Sequence, residues 1–131
     1  MPEKIIEVAA AVIVKDGRYL ITQRLETSHL GELWEFPGGK RKADESLKDC
    51  LRRELKEELG LTVRVEEELK MIQHNYSDRT VRLHFYRCTI IDGTPQTLEN
   101  QAYRWASSSE LSQLKFPEAN GSLIRDLLGQ S

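Results

Sequence analysis

The feature that most constrains the fold is the stretch over residues 35–61, which reads EFPGGKRKADESLKDCLRRELKEELGL. Apolar residues recur in it at three- and four-residue spacing, which predicts a helix over Leu47–Leu59 with one buried stripe. Asp44 or Ser46 is well placed to cap the helix start, and Gly60 is typical of a helix end. A proline and a pair of glycines upstream mark a loop. The stretch therefore predicts a loop, a short amphipathic helix and a second loop.

Three glutamates crowd one face of this predicted helix. Glu54, Glu57 and Glu58 lie at positions i, i+3 and i+4, where their like charges repel one another. Carboxylates that converge in this way suit a hard divalent cation such as Mg²⁺, which takes oxygen ligands and completes its shell with substrate phosphates. The glycine pair, Gly38 and Gly39, allows the backbone to approach such a ligand closely. The alternative is an ordinary solvated helix face with Glu–Arg and Glu–Lys pairs.

The spacing of the whole stretch decides between these two interpretations. Gly39 is followed after five residues by Glu45 and, after seven more, by the run RELKEELGL, which begins at Arg53. This pattern fits the Nudix box, G-x5-E-x7-R-E-U-x-E-E-x-G-U, in which U is a bulky aliphatic residue, at every fixed position. The chain therefore resembles the Nudix hydrolases, and the intact box argues against a catalytically silent Nudix domain.

The resemblance implies roles for the residues of the box. By motif position, Glu54, Glu57 and Glu58 resemble the family's metal ligands and catalytic carboxylates, and the carbonyl of Gly38 resembles a further ligand. Glu45 and Arg53 are implied to form a salt bridge that braces the loop against the helix. The box positions implied to be structural are Gly39, Glu45, Arg53 and Gly60. The implied cofactor is Mg²⁺, with Mn²⁺ as an alternative. A carboxylate acts as general base, and spacing alone does not separate the base from the ligands.

The rest of the chain reads as strands and short helices around this helix. A hairpin is predicted from residues 8–14 through a turn at Asp16-Gly17, and further strand patterns cover residues 61–76, 80–91 and 102–106. A capped helical turn is predicted over 107–114 and a helix over 121–128. The order indicates one α/β (α+β) domain over residues 1–131. The resemblance implies the Nudix fold, an α/β/α sandwich around a mixed sheet.

Beyond the box, the chain resembles the MutT-type branch of the family over essentially its whole length. ITQR, LWEFPGGK, SDR, LHFY and FPEAN occur in the order of that branch. The branch hydrolyses nucleoside triphosphates to monophosphate and pyrophosphate, and FPEAN favours 8-oxo-dGTP, which implies nucleotide-pool sanitising and mutation avoidance. LHFY, which contains His84, and NQAYRW also resemble the cytidine triphosphate pyrophosphohydrolases. CTP, dCTP and modified pyrimidine deoxynucleotides therefore stay open as substrates, and substitutions of Asn120 and His84 that change base preference would separate the two groups. Alternation within the strand pattern favours an ordinary structural role for His84 over metal binding.

Five residues outside the box resemble substrate or metal contacts. Asn120 resembles a base-reading asparagine, whose amide meets a purine edge with both a donor and an acceptor; the alternative is a helix cap. Arg24 resembles an arginine that reaches the nucleotide, or is an exposed charge at a strand end. Glu99 resembles a loop carboxylate that approaches the metal, or is a solvated acid. Phe36 and Arg79 are further pocket candidates, although the core is the preferred interpretation of Phe36.

Composition limits the class of protein and its partners. A net charge of −2 and 7% aromatic residues argue against a broad nucleic-acid or membrane surface, so a small-molecule nucleotide is the expected partner. Cys50 and Cys88 lack the spacing of a metal site and are expected to be buried free thiols. The chain start lacks a signal pattern, and the apolar run VAAAVIV is too short for a bilayer. A cytoplasmic monomer is expected.

Overall fold

The computed structural model describes residues 4–23, 33–99 and 101–129. Arg24, one of the expected substrate contacts, lies outside the described residues. The strands are β1 (Lys4–Lys15), β2 (Arg18–Gln23), β3 (Trp34–Glu35), β4 (Gly38–Lys40), β5 (Thr62–Asn75), β6 (Arg79–Asp92) and β7 (Ala102–Ser107). The helices are α1 (Leu47–Leu59), α2 (Ser108–Leu111) and α3 (Gly121–Leu128), with a 3-10 turn at Glu118–Asn120 ahead of α3.

These strands form a mixed sheet with the order β3-β2-β1-β6-β5, in which β4 also pairs with β1, and β7 with β2. β1 and β6 are parallel, and the other pairs are antiparallel. β1 suits the central position because its small and β-branched residues 9–13 are buried on both faces of the sheet. It begins earlier than the predicted residues 8–14 because it pairs with β6 from Lys4 onward.

Helix α1 has the bounds that the apolar spacing predicted. Ser46 is the cap, since its hydroxyl accepts a hydrogen bond from the N–H of Asp49 at 3.1 Å. Gly60 ends the helix in the left-handed conformation with φ 70°, and its N–H donates to the carbonyls of Leu55 and Lys56. Local signals therefore fix both ends of the element that carries the glutamates.

Helices cover both faces of the sheet, as the resemblance implied. On the first face, here called the α1 face, the apolar stripe of the helix packs on alternate residues of β1, and the cluster includes Ala9, Ala11, Leu51, Leu55 and Leu59. On the opposite α3 face, α2 and α3 pack on the sheet through a cluster that includes Leu111, Leu123, Leu127 and Phe85. Cys50 and Cys88 are buried free thiols on the α1 face. None of the helices in the described residues has the length and apolar character needed to cross a bilayer.

Candidate active site

The glycine pair forms a strand rather than the plain loop that the sequence indicated. A Cβ on Gly38, whose φ is 156°, would overlap the carbonyl oxygen of Ala9, and a Cβ on Gly39 would overlap the carboxyl group of Glu54. Both positions therefore need glycine because the backbone is so close to its neighbours. Antiparallel pairing with β1 holds β4 in this position. In this register, Gly38 lies opposite Ala10, Gly39 opposite Ala9 and Lys40 opposite Val8.

Glu58 is the most buried carboxylate of the triplet. It is 9% exposed, and its Oε2 has no hydrogen-bond partner among the described residues. Burial, together with the charges of Glu54, Glu35 and Glu99, raises its pKa to about 9. A buried carboxylate oxygen without a partner costs free energy that a bound cation would recover. The side chain therefore fits a divalent metal site near the C-terminal end of α1.

Arg53 contacts the other three glutamates of the box. Its Nη2 and Nε donate to the two carboxylate oxygens of Glu45 at 2.6 and 3.0 Å, so the expected salt bridge is present. This pairing lowers the pKa of Glu45 to about 2. The same guanidinium donates through Nη1 to Glu54 at 2.8 Å and to Glu57 at 3.0 Å. Arg53 therefore does more than brace the loop, because it also offsets the repulsion between two glutamates of the triplet.

The glutamates are not closed around a metal position. Within residues 4–23, 33–99 and 101–129, no three His, Cys, Asp or Glu side chains gather closely enough to enclose an ion. Glu54 and Glu57 point toward Arg53 instead. Burial raises the pKa of Glu54 even though Arg53 lowers it, and the nearby charges of Glu57 and Glu99 raise it further. Glu54 also lies within hydrogen-bonding reach of Glu58, so binding one ion through all three box glutamates requires Glu57 in particular to turn from Arg53.

A loop after β6 closes over the C-terminal end of α1. Main-chain N–H groups in residues 96–98 donate to the last carbonyls of the helix at 3.0 and 3.1 Å. The side chain of Gln101 donates to the carbonyl of Glu58 at 3.1 Å, a contact that the sequence analysis missed. The loop brings Glu99 close enough for its charge to raise the pKa values of Glu54 and Glu58. The position of Glu99 therefore agrees with a carboxylate that approaches the triplet from a loop.

Glu35 joins this group from β3 and was also missed. The negative charge of Glu35, like that of Glu99, raises the pKa of Glu58. The sequence offered little signal, because Glu35 lies beside the Pro-Gly-Gly run without a periodic partner. Only the pairing of β3 with β2, where Glu35 lies opposite Thr22, brings it toward α1.

A cavity of about 390 Å³ lies on the α3 face of the sheet. Alternate residues of β1 and β6 form its apolar floor, namely Ile6, Val8, Val81, Leu83 and Phe85. Phe36 and the segment around Asn120 form its sides, and β4 and the β5–β6 turn form its rim. Gly39 lines the cavity and also lies against Glu54. β4 is therefore a wall shared by the cavity and the glutamate cluster, which comprises Glu54, Glu58 and Glu99. An apolar pocket with few polar groups is typical of small-molecule binding.

Asn120 lies in the cavity wall with only 6% of its surface exposed. Its Nδ2 donates to the carbonyl of Pro117 at 3.4 Å. Its side chain makes no capping hydrogen bond to the described residues of α3, although it occupies the capping position. The helix-cap alternative is therefore not realised, and the amide faces the cavity.

Phe36 and Arg79 also line the cavity. Phe36 is 5% exposed, meets Phe85 edge-on at 5.9 Å and stacks on Phe116 at 5.6 Å, so the residue is both core and cavity wall. Arg79 lies at the rim, with its guanidinium 4.8 Å from the ring centre of Tyr76.

His84 does not line the cavity. It alternates with Leu83 and Phe85 of the cavity floor, so its side chain lies on the opposite face of β6. There, its Nε2 lies 2.7 Å from Oε2 of Glu7 and its Nδ1 lies 2.6 Å from Oε1 of Glu68. His84 therefore belongs to a hydrogen-bonded cluster behind the cavity floor, which agrees with the ordinary structural role expected of it.

The chain is similar to known proteins over most of its length. The family model described as NUDIX domain matches residues 8–126. The chain belongs to the Nudix family. It is a Nudix hydrolase, and enzymes of this family act on small-molecule substrates and generally use a divalent metal.

Similar proteins include enzymes named for CTP and enzymes named for 8-oxo-dGTP. The CTP pyrophosphohydrolase of Escherichia coli (strain K12) is 41% identical over 121 residues, which cover 92% of this Nudix chain and 90% of that protein. An 8-oxo-dGTP diphosphatase of Haemophilus influenzae is 36% identical over 132 residues, which cover 100% and 97%. The solution structure of the MutT protein from methicillin-resistant Staphylococcus aureus 252 is 33% identical, has a TM-score of 0.81 and covers 99% of this chain and 100% of that one.

Proposed function

We propose that this Nudix hydrolase cleaves nucleoside triphosphates to monophosphate and pyrophosphate, with 8-oxo-dGTP as its preferred substrate. The observation that carries the proposal is the shared wall β4, which has Glu54 on one side and the cavity with Asn120 on the other. Glu54 adjoins Glu58, whose buried Oε2 has no partner among the described residues. A nucleotide spans both sides of this wall when its base occupies the cavity and its phosphates reach Gly39.

The proposed cofactor is Mg²⁺, with Mn²⁺ as the alternative. The proposed ligands are the carbonyl of Gly38 and the carboxylates of Glu54, Glu57, Glu58 and Glu99. When bound, the ion neutralises phosphate charge and lowers the pKa of an attacking water. The unpartnered buried oxygen of Glu58 supports this assignment. Arg53 keeps its bidentate contact with Glu45 and so holds the loop on α1 while the neighbouring carboxylates turn.

One carboxylate of the triplet takes the proton of the water as general base. Glu54 raises the pKa of Glu58, and the charge of Glu57 raises the pKa of Glu54, so the protonation of Glu54 is coupled to that of Glu58. The role of general base is therefore proposed for the set of Glu54, Glu57 and Glu58. An isolated glutamate is a weak base at neutral pH, whereas burial and the charges of neighbouring carboxylates make Glu54 and Glu58 better proton acceptors.

Asn120 is proposed to read the base. Because its Nδ2 contacts the carbonyl of Pro117, its Oδ1 is the acceptor that the cavity offers to a base N–H group. The oxidised base of 8-oxo-dGTP carries a hydrogen on N7, whereas N7 of ordinary guanine is an acceptor. The amide therefore distinguishes the oxidised base from the normal one. Phe36 and Arg79 are proposed as further contacts from the cavity wall and rim, and Arg24 is proposed from the sequence alone.

Cytosine nucleotides are the second candidate substrates. The relative that is 41% identical is named for CTP, and the amino group of cytosine is also a donor that Asn120 can accept. Several of the similar proteins are instead named 8-oxo-dGTP diphosphatase, which favours the oxidised purine. In either case, the proposed setting is a cytoplasmic monomer that acts on free nucleotides and not on nucleic acid, and the proposed role with 8-oxo-dGTP is to avoid mutation.

A substrate panel tests the proposal. The protein with Mg²⁺ is given 8-oxo-dGTP, dGTP, CTP, dCTP, 5-methyl-dCTP and a dinucleoside polyphosphate, and kcat/KM is compared after chromatographic separation of the products. We expect 8-oxo-dGTP to lead and to yield monophosphate and pyrophosphate. If the cytosine nucleotides lead, the second candidate replaces the first. If no member of the panel is cleaved by folded, metal-loaded protein, the proposed activity is wrong.

A further inference from the structure

Gln101 joins the loop after β6 to the C-terminal end of α1 through both ends of its side-chain amide. Its Nε2 donates to the main-chain carbonyl of Glu58 at 3.1 Å, and its Oε1 accepts a hydrogen bond from the main-chain N–H of Glu99 at 3.1 Å. These partners determine the orientation of the amide, because a carbonyl only accepts and an N–H only donates. One uncharged side chain therefore connects the backbones of two members of the glutamate cluster that lie on different elements.

The main chain anchors this loop to the helix as far as Leu98, whose N–H donates to the carbonyl of Glu58 at 3.1 Å. The next N–H along the chain, that of Glu99, has its hydrogen bond with the side chain of Gln101. Because a carbonyl oxygen has two lone pairs, that of Glu58 accepts from Leu98 and from Gln101 together. Gln101 thus extends the anchored part of the loop by one residue, to the residue that carries the carboxylate.

This anchor matters because Glu99 is an exposed loop residue. Its charge raises the pKa values of Glu54 and Glu58, so its carboxylate lies near both of them. Carboxylates that are brought together repel one another, and a loop that is free to move would relieve this repulsion by turning its carboxylate into water. The bridge through Gln101 opposes that movement, and it lowers the conformational entropy that would be lost when Glu99 binds an ion.

We propose that Gln101 is a positioning residue that holds Glu99 beside the box glutamates, so that the carboxylate of Glu99 is in place when the metal ion binds. Gln101 acts through the main chain of Glu99 and Glu58 and is not itself a ligand. The inference rests on the proposed function for the role of Glu99 as a metal ligand. The alternative is that Gln101 only caps the end of α1, in which case its replacement weakens the site whether or not Glu99 carries a charge.

Amide hydrogen exchange in the metal-free protein tests the anchoring of Glu99 directly. NMR measures the exchange rate of the Glu99 N–H in the wild type, Gln101→Met, Gln101→Ala and Gln96→Met. Both changes at Gln101 remove the amide, and methionine keeps the length of the side chain. Gln96→Met is the matched control, because Gln96 is an exposed glutamine of the same loop whose side chain has no hydrogen bond with a residue that the structure describes. Its main-chain N–H, which donates to the carbonyl of Leu59, is kept in the variant.

We expect the Glu99 N–H to exchange about fivefold faster in both Gln101 variants, as for the loss of one hydrogen bond, and at the wild-type rate in Gln96→Met. The N–H of Leu98 is the internal reference, since its acceptor is a main-chain carbonyl that every variant keeps. An unchanged rate at Glu99 in the Gln101 variants would overturn the inference. An equal acceleration at Leu98 would mean that the whole helix end loosens, and it would overturn the inference as well.

A double-mutant cycle for Mn²⁺ binding tests the consequence for the metal site. Calorimetry gives the Mn²⁺ dissociation constants of the wild type, Gln101→Met, Glu99→Gln and the double variant. We expect Gln101→Met alone to lose about tenfold in affinity, as is typical of residues that orient a ligand, and to cause little further loss when Glu99→Gln is already present. An equal loss in both backgrounds would show that Gln101 acts through the helix end, and would overturn the inference.

The two measurements distinguish a failure of this inference from a failure of the proposed function. Unchanged exchange in the Gln101 variants, with Mn²⁺ affinity lowered by Glu99→Gln, would reject the positioning role and keep the proposed ligand. Faster exchange, with Mn²⁺ affinity unaffected by Glu99→Gln, would reject Glu99 as a ligand and with it the role of Gln101 in the metal site. If both results are as expected and no triphosphate is hydrolysed with Mg²⁺, the proposed activity fails and the positioning role stands.

Discussion

At the residue scale, Glu58 is a buried carboxyl group with an oxygen that no described residue contacts by a hydrogen bond. Its carboxyl group is buried among Glu54, Glu35 and Glu99, and its Oε2 has no partner in the described part of the chain. A residue so placed must hold a proton or a cation, because an isolated buried charge is too costly. The pKa of about 9 indicates a proton in the metal-free protein at neutral pH. Metal binding therefore has to displace that proton.

The stability of the metal-free protein should fall as pH rises from about 4.5 to about 9. In this window the unfolded chain has released the Glu58 proton, whose ordinary pKa is 4.5, while the folded protein still holds it. The folded state thus binds more protons, and the free energy of unfolding decreases with pH until the folded pKa is passed. Urea unfolding with a chelator at several pH values measures this slope.

Glu58→Gln is the matched variant for the pH experiment, because the amide is neutral throughout. We expect its slope to be shallower than that of the wild type between pH 4.5 and 9. We also expect Mn²⁺ binding to the wild type to release close to one proton near pH 7, measured by calorimetry in buffers of different ionisation enthalpy. Equal slopes in the two proteins, or no proton release, would contradict the assignment of the proton to Glu58.

Replacement of each box glutamate should remove most of the turnover and leave the fold. Glu54→Gln, Glu57→Gln and Glu58→Gln are each expected to lower kcat by about a hundredfold or more, since the proposed roles of the triplet are metal ligand and general base. Glu67→Gln is the control, because Glu67 is an exposed glutamate of β5 that pairs with Arg87. Near-wild-type turnover in all three box variants, with folding verified by circular dichroism, would refute this role.

At the element scale, α1 was predictable and the strands around it were less so. The bounds of α1 follow from apolar spacing, a cap and a terminal glycine, all within residues 46–60. β4 was read as part of a loop because Pro37 and two glycines are local breakers, whereas its strand character comes from pairing with β1. Tertiary pairing thus overrides the local signal there.

In the candidate site, too, some positions follow from local sequence and others depend on tertiary strand pairing. The box residues could be assigned from one continuous motif, and Asn120 from the FPEAN segment. The position of His84 behind the cavity floor and the approach of Glu35 to Glu58 depend on register between strands distant in sequence. A shift of one residue in register reverses the face of a side chain, so the sequence alone did not reveal these positions.

The close approach of β4 to α1 predicts that Gly39→Ala damages catalysis more than stability. The added methyl group would overlap the carboxyl group of Glu54, which lies at the end of a flexible side chain and can move. A displaced catalytic group is expected to lower kcat by about a hundredfold. Steady-state kinetics and thermal unfolding measure the two effects.

Gly129→Ala is the control for this substitution. Gly129 lies beyond α3 with φ −67°, and a Cβ there makes only ordinary contacts of 3.5 Å or more. We expect both the activity and the melting temperature of this variant to be close to wild type. If Gly39→Ala also retained full turnover, the contact between β4 and Glu54 would be irrelevant to the reaction.

At the scale of the whole molecule, the two proposed parts of the site lie on opposite faces of the sheet. The glutamate cluster lies on the α1 face, the cavity lies on the α3 face, and β4 is the wall that they share. This separation has a consequence for substitutions. Changes at the carboxylates should alter metal affinity and turnover, whereas changes in the cavity should alter base preference, because residues without shared contacts act independently.

The most direct test of this account is a calorimetric comparison of Glu58→Gln and Asn120→Ala with the wild type. For each protein, the dissociation constants are measured for Mn²⁺ alone and for 8-oxo-dGMP without metal. We expect Glu58→Gln to lose at least about tenfold in Mn²⁺ affinity and to keep its nucleotide affinity, and Asn120→Ala to show the reverse. If Glu58→Gln bound Mn²⁺ as tightly as the wild type, the metal centre would lie elsewhere and the account would be contradicted.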